Sequence, residues 1–244
     1  MAIVAVLPTY NERDNISDLI KRILTLRDDM EVLVIDDSSP DGTAGLVLDL
    51  AGKDPRVHLV VRNGPRGRGY AGAEGFRLAV EMGYDLIVEM DADWSHDPCF
   101  IPAMIAASRD CDLVIGSRFV SGGRQKGRSF SRIAISALAN LYLRAALGFW
   151  SVKDCTSGFR CFRRELLEVV EPSTLRSRGP SIVGEVLFRC KGARIKEVPI
   201  TFYDRKHGRS KFNFRAVASN LIMAPRVRLA SLFRPRPHFR KGQG

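Results

Sequence analysis

Asp85-Leu86-Ile87-Val88-Glu89-Met90-Asp91-Ala92-Asp93 is the stretch that decides how this chain reads. An apolar run stops at two aspartates one residue apart. Such a run suits a strand covered on both faces. In an open α/β sheet, ligands collect beyond the carboxyl ends of the strands. Carboxylates at that rim, together with substrate phosphates, make a good site for Mg²⁺ or Mn²⁺. By themselves the two acids would serve equally to end a strand and start a loop, so the decision lies with their surroundings.

On either side of this stretch the chain alternates in the βα manner. Strands are expected at 3–7, 31–35, 57–61, 85–90 and 112–115, and helices at 15–26, 43–51, 71–82 and 100–107. That alternation predicts an α/β fold with a mostly parallel sheet and right-handed crossovers. After Gly116 the order changes. A flexible basic loop is expected at 122–128, a helix at 132–149, an irregular or short strand at 154–162, and a helix at 181–190. A strand at 195–202, a charged loop at 205–211 and a basic amphipathic helix at 214–233, interrupted near Pro225, complete the series. No internal repeat or clear linker breaks the chain.

A length of 244 residues fits one large domain with a short appendage, and 45% hydrophobic residues are ample for a core. The net charge is +11, with Lys and Arg recurring from Arg118 to the end. This clustering implies an anionic partner: nucleic acid, acidic lipid headgroups or a phosphorylated substrate. A nucleic-acid binder would need a recognised fold or an aromatic-interleaved basic stripe, and neither is present. Cys99, Cys111, Cys155, Cys161 and Cys190 form no C-x-x-C pair. They read as reduced thiols of a cytosolic protein. The N-terminus reads as a first strand and not as a signal peptide. No apolar run approaches the length of a membrane-spanning helix.

Other motifs fall at the same sheet edge. Thr9 and Glu12 have capping-box spacing, yet Tyr10 and Glu12 in Pro8-Thr9-Tyr10-Asn11-Glu12 would equally suit a nucleobase or ribose. After the second strand, Pro40-Asp41-Gly42 is turn chemistry, whereas Asp37 sits where a carboxylate can accept hydrogen bonds from a base or a ribose hydroxyl. Gly67-Arg68-Gly69-Tyr70-Ala71-Gly72 has the form of a dinucleotide fingerprint and raises the alternative of a nicotinamide-dependent dehydrogenase. Residues 63–66 separate it from the preceding strand, so the tight strand–turn–helix is missing. A mobile glycine- and arginine-rich loop near an anionic ligand is the better expectation.

Six motifs occur in order: L-P-T-Y-N-E from Leu7, V-I-D-D-S-S-P-D-G-T from Val34, D-A-D from Asp91, I-G-S-R from Ile115, D-C-T-S-G-F-R from Asp154 and R-K-H-G-R-S-K from Arg205. Together they resemble family 2 glycosyltransferases of the GT-A fold and, within these, dolichyl- or polyprenyl-phosphate mannose synthases. The resemblance runs from about Ala2 to Phe212. It implies a glycosyltransferase domain over 1–212, followed by a basic amphipathic helix and tail over 213–244. A nucleotide pocket is implied from Pro8, Tyr10, Glu12, Ile35 and Asp37, with Asp91, Ala92 and Asp93 at the metal and diphosphate. Where many such synthases carry a metal-reaching Gln, this chain has Ser95, with His96 beside it. Arg118 and Arg132 are implied to face phosphates, and Arg205 and Lys211 to close over the donor diphosphate. Arg209 stands where family members often have Glu.

The activity so implied is transfer of mannose from GDP-mannose to a polyprenyl phosphate with Mg²⁺ or Mn²⁺; UDP-glucose or another donor is the nearest alternative. A phosphomonoester acceptor, with a second pKa of about 6, is largely dianionic at neutral pH and needs no general base. The chain has no E-D dipeptide to act as one, and Glu185 is the nearest substitute. A single displacement would invert the anomeric centre. Arg132, Ser136, Asn140 and Arg144 recur every four residues as a polar stripe on an otherwise apolar helix. At about 1.5 Å per residue the span between its arginines is too short to cross a bilayer. Two expectations are a buried core helix and one lying in the membrane interface with arginines at headgroup level. The second gives peripheral attachment to the cytoplasmic membrane face, with an anchoring partner subunit as a further expectation.

Overall fold

The computed structural model describes residues 1–204 and 221–229; Arg205, Lys211 and Arg209 lie outside the described residues. The first half alternates as expected: β1 (Ile3–Thr9), α1 (Arg13–Leu24), β2 (Met30–Asp36), α2 (Thr43–Ala51), β3 (Val57–Val61), α3 (Arg68–Glu81), β4 (Leu86–Glu89), α4 (Ile101–Ala107) and β5 (Leu113–Ser117). Then come β6 (Arg124–Lys126), α5 (Phe130–Leu147), β7 (Arg160–Arg163), α6 (Arg164–Val170), α7 (Ile182–Arg189), β8 (Ile195–Pro199), β9 (Thr201–Tyr203) and a helix at 221–229, here α8.

Seven strands form one sheet in the order β3-β2-β1-β4-β7-β5-β8. All neighbours are parallel except β7, which runs antiparallel between β4 and β5. The inner parallel strands β1, β2, β4 and β5 are buried on both faces, and β1 shows why their sequence runs apolar without a break. Val4 and Val6 pack toward α3, α5 and α7, while Ile3, Ala5 and Leu7 pack toward α1 and α4, as the two-residue side-chain period of a strand requires. β1 ends opposite Asp36, and Val6 pairs with Glu89. The loops after β1, β2 and β4 therefore open side by side.

Three expectations change. The basic loop contains a short strand, because β6 pairs in parallel with β9 in a second sheet. The strand expected over 195–202 divides at the buried Ile200, one half in each sheet. The break expected near Pro225 is absent, since α8 runs through it. A proline inside a helix leaves the carbonyl four residues earlier without its N–H. Here that carbonyl, on Leu221, accepts from Tyr142 Oη at 2.9 Å, which removes the cost of the orphaned group.

Candidate active site

Asn11, Ser38 and Trp94 each hold a left-handed backbone, with φ of 60°, 53° and 63°, just beyond β1, β2 and β4. Such conformations cost on the order of 1–3 kcal/mol each and gather at functional sites. Asp36, fully buried, joins the first two loops: its carboxylate accepts from Thr9 Oγ1 (3.1 Å), Ser39 N (2.8 Å) and Ser39 Oγ (2.6 Å). Thr9 is thus still in the strand and caps nothing, so the capping box is not formed. Glu12 instead precedes α1 and accepts from Asn15 Nδ2 at 2.8 Å.

The residues implied for a nucleotide pocket come together at this edge. Pro8 is half-buried and Tyr10 exposed. Asp37 is nearly covered and accepts from the Gly67 N–H at 2.7 Å and from Arg62. Arg66 lies 5.1 Å over the Tyr10 ring and donates to its hydroxyl at 3.1 Å. Two arginines of the glycine-rich loop therefore occupy groups that a base or ribose would use. Ile35 differs from the rest: its side chain belongs wholly to the core, so only its backbone faces the rim.

At the end of β4, Asp91 is open, its side chain 37% exposed, while Asp93 is covered. Ala92 between them is buried. Ser95 is turned onto Asp93: its Oγ and N–H donate to Oδ1 at 2.5 and 3.1 Å. The His96 Nδ1 accepts from the Asp91 N–H at 3.1 Å, and the ring stacks on Phe159 at 5.1 Å. Burial pushes the His96 pKa down against the pull of Asp91 and Asp93, so the ring is neutral with its proton on Nε2. Below the pair lies a buried charge network that sequence reasoning missed. Arg68 donates to Glu89 at 2.6 Å and reaches Asp91 at 3.4 Å. Arg160, completely covered, donates to the carbonyls of Val183 (2.6 Å) and Cys155 (3.2 Å). An acid inside an apolar strand, Glu89, was the available signal.

Arg118 is held by Asp154 through Nε and Nη2, both at 2.8 Å, and by Thr156. Its guanidinium lies 5.3 Å from the Phe202 ring, and Arg128 lies 5.4 Å from the same ring. Arg132 pairs with Asp204 at 2.8 Å. Arg128, expected only as part of a basic loop, has its pKa lowered by burial and then by Arg118 and Arg132. Three guanidinium groups crowd together here, an arrangement suited to phosphate oxygens. The polar stripe on α5 turns toward protein: Asn140 is buried and accepts from Cys155 N at 2.8 Å, and Arg144 donates to the Trp150 carbonyl at 2.9 Å. Phe130, Leu138, Leu141 and Trp150 are exposed instead, as are Leu221, Ile222 and Leu229 of α8.

A cavity of about 160 Å³ is lined by Arg68 and Asp91 and by Leu143, Val183 and Thr156, the last of these the hydrogen-bond partner of Arg118. Residues 176–178 strap across α3. Glu185 holds this strap, accepting from the Arg176 and Ser177 N–H groups at 2.7–3.1 Å and from Arg189 at 3.0 Å. A buried carboxylate so engaged has no role as a base, which corrects the substitute suggested for it. The strap also explains the glycines. A Cβ on Gly67 or Gly69 would collide with the carbonyls of Arg178 or Ser177, and Gly69 N donates to Arg178 O at 3.0 Å. The dinucleotide fingerprint is close packing against protein.

For a divalent ion the available donor set is hard oxygen from Asp91 and Asp93, which fits Mg²⁺ or Mn²⁺. Among the described residues no group of three or more His, Cys, Asp or Glu side chains is assembled to hold a metal. Further ligands at this pair would come from substrate phosphate and water.

Comparison with known proteins agrees with this fold. The profile of Glycosyl transferase family 2 matches residues 4–170. Undecaprenyl-phosphate mannosyltransferase of Micrococcus luteus is 39% identical over 233 residues, 95% of this chain and 96% of that one. Polyprenol monophosphomannose synthase of Mycolicibacterium smegmatis is 39% identical over 214 residues, 86% and 80% of the two chains. Among solved structures, glucosyl-3-phosphoglycerate synthase of Mycobacterium tuberculosis, in complex with Mn²⁺, UDP and glucosyl-3-phosphoglycerate, superposes with a TM-score of 0.67. It is 21% identical and covers 96% of this chain and 81% of that one, a likeness of GT-A fold.

Proposed function

The chain belongs to glycosyl transferase family 2, and from that premise we propose that it moves mannose from GDP-mannose to a polyprenyl phosphate, inverting the anomeric carbon. The observation that carries this reading is the cavity lined by both Asp91 and Thr156. Asp91 borders it on the donor side, and Thr156, the partner of Arg118, borders it on the acceptor side. The relatives named for polyprenyl-linked mannose transfer, similar over most of both chains, support the substrates.

Pro8, Tyr10, Glu12, Asp37 and the backbone at Ile35 receive the nucleoside once Arg62 and Arg66 give up Asp37 and Tyr10. Asp91 and Asp93, with Ser95 holding Asp93 in place, are the residues for Mg²⁺ or Mn²⁺. When bound, the ion supplies Lewis-acid stabilisation of the leaving diphosphate. Arg205 and Lys211 add positive charge to the same group. Arg118, Arg128 and Arg132 orient the acceptor phosphate. It needs no base, because a phosphomonoester with a second pKa of about 6 is already largely dianionic at neutral pH. Attack from the face opposite the diphosphate gives a β-linked product from an α-linked donor.

The lipid acceptor places the enzyme at a membrane. No helix among the described residues is long and apolar enough to span one. Peripheral attachment to the inner leaflet, alone or with an anchoring subunit, is supported by the exposed apolar side chains of α5 and α8. The net charge of +11 favours an anionic surface. The test is extractable lipid-linked label from radiolabelled GDP-mannose and UDP-glucose with polyprenyl phosphate. GDP-mannose should give metal-dependent product, and Asp93→Asn should abolish it while the circular dichroism spectrum is unchanged. Wild-type turnover in Asp93→Asn, or in excess chelator, refutes the metal role; product from UDP-glucose alone refutes the donor.

A further inference from the structure

Arg68 is a fixed positive charge beside the carboxylate that would receive a metal. It opens α3, with Nη1 2.6 Å from Glu89 Oε1 and Nη2 3.4 Å from Asp91 Oδ1. Its two partners are unequal: the Glu89 side chain is 3% exposed and that of Asp91 37%. The covered Glu89 holds the guanidinium, while Asp91 borders the cavity. Glycines leave just enough room for it, since a Cβ on Gly72 or Gly158 would lie 3.4 or 3.0 Å from the guanidinium nitrogens. Arg68 is therefore confined and has little freedom to swing away.

Charge follows from placement. Glu89 and Asp91 face Arg68, Glu89 also lies near the charge of Arg160, and Asp93 follows Asp91 by two residues. Among the described residues, these three carboxylates and two guanidinium groups sum to a single negative charge. Two acids with a cation held against one of them make a poor site for a bare divalent ion. A nucleoside diphosphate changes the balance, because its oxygens add both charge and ligands.

We propose that Arg68 makes metal binding conditional on the nucleotide: the free protein holds the ion weakly, and tight binding requires the diphosphate. Arg68 is a positioning residue in this account. The inference rests on the reading that Asp91 and Asp93 bind the metal, and the test separates the two.

Free Mn²⁺ is counted by electron paramagnetic resonance during titration of the full chain, with and without GDP. In wild type, GDP should strengthen Mn²⁺ binding markedly. Arg68→Met should strengthen binding to the GDP-free protein by about tenfold or more, the water-like lower limit for removing one charge some 5–6 Å from a divalent ion. The gain from GDP should shrink to the extent that the bound diphosphate offsets the Arg68 charge, and by linkage the effect of Mn²⁺ on GDP affinity should shrink by that same factor. Arg68→Lys keeps the charge and should stay near wild type. Arg68→Met/Glu89→Gln avoids an unpaired Glu89 and removes the nearer positive charge together with a more distant negative one, so it should strengthen GDP-free binding by more than twofold but less than Arg68→Met. GDP-free affinity within twofold of wild type in either folded Met-containing variant overturns the proposal. Absence of Mn²⁺ binding to wild type with GDP overturns the metal reading beneath it.

Discussion

Replacing Asp154 by Asn should unsettle the protein more than any other neutral exchange at the acceptor side. Asp154 is fully covered and accepts five hydrogen bonds: from Arg118 N (3.0 Å), Nε and Nη2 (both 2.8 Å), and from Thr156 N (3.2 Å) and Oγ1 (3.0 Å). The Arg118 side chain is 8% exposed. Asparagine retains one acceptor oxygen but turns an N–H donor toward another donor and leaves the guanidinium without a counter-charge. Breaking a buried pair from one side costs roughly 3–5 kcal/mol. At about 2–4 °C per kcal/mol for a chain of this size, Tm should fall by about 6–20 °C. Acid should close the gap. Burial works to raise the Asp154 pKa, but the Arg118 charge and hydrogen bonds prevail and hold it below the usual carboxylate range. Its stabilisation is therefore complete above the unfolded value of about 3.9 and fades as pH falls through the lower folded value. Thermal melts followed by circular dichroism at pH 7, 5 and 3.5 measure both effects. A loss below about 1 kcal/mol at pH 7, where even exposed pairs contribute that much, or a gap that widens in acid, refutes the reasoning.

Two further outcomes test the packing and the surface. Gly69→Ala drives a Cβ into the Ser177 carbonyl and should cost about 1–3 kcal/mol by overpacking, with lower kcat/KM; an unchanged calorimetric Tm would mean that the 176–178 strap does not press on α3. Purified protein should float with anionic vesicles more than with neutral ones, and Leu138→Glu/Leu141→Glu should abolish flotation. Equal and negligible flotation of wild type removes the proposed membrane surface.

The doubly buried strands were legible because parallel sheets leave a simple trace, short runs of Val, Ile and Leu between helices. Asp91 and Asp93 were legible because charge at a strand end interrupts that trace. β7 was harder to read: Arg160-Cys161-Phe162-Arg163 places a fully buried arginine where strands seldom carry one, and its carbonyl partners at Val183 and Cys155, with the Glu89 charge nearby, make it tolerable. Pairing across the chain was also hidden. Nothing near Glu185 announces that it holds the backbone of 176–177, and nothing near Arg68 names Asp91 as a neighbour. Those contacts are set by topology, which periodicity does not encode. Turn chemistry misled once, at Thr9, because the strand outran the motif and the hydroxyl found Asp36 instead of a helix terminus.

The slot filled by β7 has a consequence for how the molecule is made. β4 and β5 are synthesised well before the segment that lies between them, so a nascent chain carries two unsatisfied edges until Arg163 has emerged. Unpaired edges invite association with other chains, and joining such distant segments slows folding. β1, β2 and β3 can pair with one another once Val61 is available, and β1 gains its second neighbour, β4, once Glu89 follows. The half of the sheet that carries the proposed nucleoside contacts can thus pair before the strand that fills the gap between β4 and β5 exists.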